Sequence, residues 1–203
     1  MRILFVLLVL TGCILGCAAQ KNTQPASNND RIIPGAERLS YYVPLLKGKK
    51  VGIFANNTSM VGNTHLVDTL QKLGVDIKVI FGPEHGFRGN ASAGVRVADE
   101  VDAATGIPVI SLYGKKNKPT NEDLADVDIM IYDLQDVGVR FYTNINALSR
   151  LMEACYENNK ELLILDRPNP NAYFVDGPVL DMKYKSGIGM FPIPISHGLT
   201  VGE

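Results

Sequence analysis

Tryptophan is missing from this 203-residue chain, cysteine and histidine occur three times each, and 20 Lys plus Arg stand against 21 Asp plus Glu. Each shortage excludes something. Balanced charge with no basic run and no aromatic-basic stripe lacks the electrostatic footprint of a nucleic-acid binder, so no nucleic-acid partner is expected. His65, His85 and His197, even joined by Glu84, show neither His-x-x-x-His nor paired-Cys spacing, so no metal is expected. There is no G-x-x-x-x-G-K-[ST] run, and Gly82 to Gly89 lacks G-x-G-x-x-G spacing, which leaves no phosphate loop and no expected cofactor. No G-x-S-x-G elbow offers an acyl nucleophile.

What is present begins with an export signal. Met1-Arg2 precedes the apolar run Ile3 to Leu10, which is too short to span a bilayer. Leu10-Thr11-Gly12-Cys13 and Ile14-Leu15-Gly16-Cys17 both resemble the bacterial lipoprotein cleavage pattern. Cys17 is the favoured lipidation site, because cleavage there leaves a polar start and cleavage at Cys13 would leave Ile14 and Leu15 in a tether. The expected organisation is a signal peptide over 1–17, a flexible Asn/Gln/Ser-rich tether over 18–30 and one folded domain over 31–203. The expected location is the cell envelope, periplasmic or outer-membrane side, with the membrane reached through the lipid anchor. Cys155 alone then remains in the folded part, so no intramolecular disulfide forms, and its helical neighbours make it a small buried hydrophobe.

From Lys49 onward apolar runs alternate with helix-like segments. Strands are expected at Lys50–Ala55, Ile77–Phe81, Pro108–Tyr113, Asp128–Tyr132 and Glu161–Leu165, and helices at His65–Leu73, Asn146–Asn158 and, as a short turn, Asn121–Ala125. The pattern predicts an α/β fold, a Rossmann-like and mostly parallel sheet with helices on both faces. Residues 167–203, rich in Pro and Gly, read as irregular structure wrapping the sheet's edge.

Polar groups follow every strand: Asn56-Asn57-Thr58, Glu84-His85, Tyr113-Gly114-Lys115, Asp133 to Asp136, and Asp166-Arg167. Parallel strands present these ends to one side, where open α/β sheets bind ligands. Phe81-Gly-Pro-Glu-His-Gly-Phe-Arg-Gly-Asn90 is the most informative of the five, since it holds Glu84 and His85 between glycines and a proline. Glu84 with Asp133 or Asp136 could form the paired carboxylates of glycoside hydrolysis; alternatively the two aspartates pair with Arg140, Arg88 or backbone amides. His85 could orient Glu84 or meet a substrate hydroxyl, or cap its own turn. Arg140 beside Phe141 and Tyr142 suits a sugar that carries a carboxylate, a ring stacking on the apolar face and the guanidinium gripping the acid.

Five blocks, residues 81–89, 132–143, 165–170, 176–181 and 192–203, together resemble the exo-β-N-acetylmuramidase family, long called DUF1343. They stand in the family's order. The resemblance implies two-domain proteins with a Rossmann-like N-terminal domain that release terminal N-acetylmuramic acid (MurNAc) from non-reducing ends, so the implied partners are MurNAc-GlcNAc saccharides from peptidoglycan. It implies Glu84 as catalytic acid, Asp133, Gln135, Arg140 and Tyr142 lining the sugar pocket, and His197 and Glu203 in a later block, with Glu203 a candidate second carboxylate. His85 and Arg88 join the candidate substrate contacts, Arg88 as the second choice for the acidic group. Asn144-Ile145-Asn146 departs from the family's aromatic continuation, and the chain stops at Glu203 where relatives continue, so this chain is expected to be incomplete as an enzyme. A lipid-anchored muropeptide-binding protein and an inactive truncated lipoprotein are the competing readings.

Overall fold

The structure, a computed structural model, describes residues 31–89 and 99–203; Cys17 and the tether lie outside the described residues. The unit described below runs from Ile32 to Glu203. After helix α1 (Leu39–Tyr42), flanked by short 3-10 turns, come β1 (Lys50–Ala55), β2 (Met60–Val61), β3 (Thr64–His65), α2 (Leu66–Lys72) and β4 (Asp76–Gly82). Then follow β5 (Glu100–Val101), β6 (Pro108–Ser111), β7 (Ile129–Asp133), α3 (Asn144–Glu157) and β8 (Glu161–Ile164).

The sheet runs β5-β6-β4-β1-β7-β8, with β6, β4, β1, β7 and β8 mutually parallel and β5 antiparallel at one edge. Counted along the chain, the parallel strands lie in the order 3-2-1-4-5. This is the doubly wound Rossmann arrangement, with its switch point between β1 and β7. All five strands expected from the apolar runs are these parallel strands. The β2–β3 hairpin and β5 are additions, and residues 121–126 form turns instead of a helix.

Side-chain alternation along each strand divides the core between the sheet's two faces. Val51, Ile53 and Ala55 face α2 and the N-terminal turns, packing with Leu66, Val67, Leu70, Tyr42 and Leu46. Phe54, Phe81, Met130 and Tyr132 face the other way, against Leu148, Leu151, Ala154 and Cys155 of α3. Gly52 also faces that side, where a Cβ would meet the Met130 sulfur at 2.3 Å, so the strand crosses there only as glycine. Cys155 is a free, buried thiol whose pKa burial pushes up to about 11, in keeping with a packing role.

Residues 167–203 form no named strand and one short 3-10 turn at Met182–Tyr184. They dock on the loop after β7 through a bridge from Ser196 to Val139 and through Arg140 N–H donating to the Ile195 carbonyl at 2.9 Å, and a second bridge, Ser196 to Asp176, ties the segment to itself. No helix among the described residues is long and apolar enough to cross a membrane.

Candidate active site

A cleft of about 570 Å³ opens at the carboxyl ends of β1, β4 and β6, on the α3 side of the sheet. Strand ends supply Phe54, Asn56, Pro83, Glu84, His85, Leu112 and Tyr113; the start of α3 supplies Tyr142, Thr143, Asn144, Asn146, Ala147 and Arg150. A volume in this range suits a small ligand.

Glu84 and His85 occupy the centre of a turn closed by Gly86 N–H donating to the Pro83 carbonyl at 3.0 Å. His85 adopts φ 71°, a left-handed conformation rare for a non-glycine residue, and stored backbone strain of this kind concentrates at functional sites. The Tyr113 hydroxyl hydrogen-bonds to the Glu84 carboxylate, which holds the tyrosine above its ordinary pKa. Glu84 is therefore positioned from a second strand end as well as from its own turn. It is the one carboxylate lining the cleft among the described residues.

Other residues expected at the site lie elsewhere. Asp133, which is 0% exposed, receives Arg167 through two bonds of 2.6 and 2.9 Å. Burial still pushes its carboxyl above the ordinary range, against the pull of Arg167. Its partner is thus neither Arg140 nor Arg88, and its carboxylate is spent inside the fold. Arg88 forks between Asp68 and Asp102, with four bonds of 2.8 to 3.0 Å. Arg140 Nη1 donates to the Pro178 and Ile193 carbonyls and so pins the C-terminal segment. Gln135 Nε2 donates to the Asp136 and Pro168 carbonyls, a tie between two loops.

His197 is buried, with Nδ1 accepting from Leu199 N–H and Nε2 3.9 Å from Asp136. Glu203 accepts from Thr200 N–H at 2.7 Å, and the Thr200 hydroxyl donates to Asp166 at 2.6 Å. A Cβ on Gly202 would meet the Asp166 carboxylate at 2.9 Å, so the Thr-Val-Gly-Glu run folds tightly onto the end of β8. Glu203 lines a second hollow of about 670 Å³ with Asp166 and Arg167 and does not line the Glu84 cleft. His65 caps α2, its Nδ1 accepting from Val67 N–H and its Nε2 bonded to the Asn56 carbonyl. No group of three or more potential ligands that could hold a metal occurs among the described residues.

The family model for the N-terminal part of the exo-beta-N-acetylmuramidase NamZ matches residues 51–203. The chain belongs to this family. It is 41% identical over 206 residues to the peptidoglycan beta-N-acetylmuramidase NamZ of Bacillus subtilis (strain 168), covering 96% of this chain and 49% of that protein. Two DUF1343 family crystal structures from Bacteroides fragilis NCTC 9343 are 51% and 41% identical, with TM-scores of 0.74 and 0.75. They cover 84% and 83% of this chain and 44% and 43% of their own. This chain therefore spans about half the length of the relatives it matches.

Within the NamZ fold, Tyr113, Asn146 and Arg150 line the cleft although motif reading did not select them. Tyr113 stood among the polar strand ends without a role. The other two carry a helical signal, since Thr143, Asn146, Ala147 and Arg150 recur at the spacing of one helix face.

Proposed function

We propose that this chain belongs to an exo-acting glycosidase that releases terminal N-acetylmuramic acid from the non-reducing ends of peptidoglycan fragments, with Glu84 as general acid. One observation carries this reading: Glu84 is the carboxylate of a ligand-sized cleft at the strand ends of a NamZ-family domain, and a tyrosine hydroxyl holds it in place. A carboxylic acid in this position delivers a proton to the departing glycosidic oxygen as the bond to the anomeric carbon breaks. The polar wall opposite, built by the start of α3, offers donors to the sugar's hydroxyl and acyl groups. In this reading Cys17 anchors the protein at the cell envelope and residues 18–30 give it reach, supported by the lipoprotein-like signal in the sequence.

The test is release of muramic acid from a MurNAc-GlcNAc disaccharide and from a chromogenic aryl muraminide by the wild type and Glu84→Gln. Glutamine keeps the size and the bond from Tyr113 and cannot donate a proton to the leaving oxygen. The expected loss is about 10²–10⁴-fold with binding retained, and smaller on the aryl substrate, whose leaving group needs less protonation. Full turnover by a folded Glu84→Gln protein would remove the glutamate from this role.

A further inference from the structure

Of the described arginines in the folded unit, Arg38, Arg88, Arg140 and Arg167 are all engaged with carbonyls or carboxylates. Arg150 makes no hydrogen bond or ion pair among the described residues, although it is half-buried in the cleft wall. A guanidinium partly withdrawn from water and left unpaired favours an anion that can meet its fork.

A second orphan lies four residues earlier on the same helix. Asn146 is 1% exposed; its Nδ2 donates to the Gly187 carbonyl at 2.7 Å, while Oδ1 has no partner among the described residues. The Gly187 carbonyl can only accept, so it fixes which way the amide points and leaves Oδ1 as an acceptor. A buried acceptor without a donor is unfavourable, and a ligand N–H relieves it. Residues four apart on a helix have Cβ atoms about 5–6 Å from each other. A hexosamine with an acetamido group on one carbon and an acidic ether on the next presents an N–H and a carboxylate at comparable separation.

Resting on the muramidase reading above, we propose that Asn146 and Arg150 form the subsite that distinguishes a muramic-acid end from a plain N-acetylhexosamine end. Arg150 grips the lactyl carboxylate, and Asn146 Oδ1 accepts from the acetamido N–H. The cation that selects the acidic sugar is then carried by α3 and not by the loop after β7, where Arg140 holds the fold.

The test is titration of the full chain by calorimetry with MurNAc-GlcNAc, its neutral lactyl amide, and GlcNAc-GlcNAc. The wild type should prefer the acid to both neutral sugars. Arg150→Ala should weaken binding of the acid about 10- to 100-fold and leave both neutral sugars unchanged, with Arg150→Lys recovering part of the loss. Asn146→Ala should weaken binding of all three sugars, each of which carries the 2-acetamido group, with circular dichroism and thermal melting checking that α3 stands. Undiminished preference for the acid in folded Arg150→Ala would overturn the subsite and leave the Glu84 result standing. Equal wild-type affinity for all three sugars, with no turnover of any, would overturn the muramidase reading itself.

Discussion

Two sets of polar groups lie at the strand ends, and they differ in whether the protein itself satisfies them. On one side Asp133 with Arg167, and Arg88 with Asp68 and Asp102, pair with one another within the fold. On the other, the cleft wall keeps Arg150 unpaired and one oxygen of Asn146 without a donor among the described residues. A carboxylate abutting an apolar strand needs a partner or a task, and the partner is often another side chain. The satisfied set maintains the sheet's rim; the unsatisfied set is where free energy remains for a ligand.

Arg167→Ala should break this contrast most severely. It would leave Asp133 buried and unpaired, a change that costs about 3–5 kcal/mol when a buried pair loses one member. Urea unfolding at neutral pH would measure it. The deficit should shrink in acid, because an unpaired buried carboxyl relieves itself by taking up a proton, which lets the folded form bind protons more readily than the unfolded one. Replacing both partners by apolar residues of similar volume should restore most of the stability. A loss under about 1 kcal/mol for the single variant would mean that water reaches Asp133 and that the rim is less sealed than its geometry indicates.

Much of the sheet was legible because buried parallel strands are continuous apolar runs, and Lys50–Ala55 and Pro108–Ser111 announce themselves in that way. The identity of each carboxylate's partner was not. Asp133 and Arg167 are 34 residues apart and meet because β7 and β8 are neighbours, with Tyr132 opposite Ile164. Strand order decides that meeting, and no local pattern encodes it. Arg140, by contrast, looked like a ligand group because it adjoins two aromatic residues, yet its chain neighbours say nothing of the carbonyls of Pro178 and Ile193 that fold back onto it. The α3 face was within reach of helical periodicity, and what concealed Arg150 was that it lies outside every motif block.

Asp136 stands between the two sets. Its Oδ1 accepts from Gly138 N–H at 2.7 Å, while Oδ2 and the nearby His197 Nε2 are buried without partners among the described residues. Burial raises its pKa, so its charge is a burden to the folded state. The sign follows directly: at a pH below the unfolded value, about 3.9, both states are protonated and nothing is lost; as pH rises, the unfolded state ionises first and stability declines until the folded carboxyl has also ionised. Asp136→Ser keeps a turn acceptor for Gly138 and removes the charge. It should gain on the order of 1 kcal/mol over the wild type at neutral pH and lose that advantage below about pH 4. Chemical denaturation across this range would show it, and an advantage independent of pH would place its origin in packing instead of charge.

The smallest expected effect belongs to the loop that carries Glu84. His85 holds φ 71° in the turn that carries Glu84. A side chain in the left-handed region costs about 1–2 kcal/mol, of which glycine would recover part and return part through its larger unfolded-state entropy, about 0.5–1 kcal/mol. His85→Gly should therefore stabilise the domain by about 0.5–1 kcal/mol, measured by the thermal midpoint, while weakening the binding of saccharide to the cleft. That opposition between stability and affinity marks strain kept for function, since a histidine serving only to cap its own turn would be missed by the fold as much as by the ligand. If His85→Gly instead lowers the thermal midpoint and leaves saccharide affinity unchanged, the ring's contacts within the loop outweigh the strain, and His85 belongs with Asp133 and Arg88 among the groups that hold the rim.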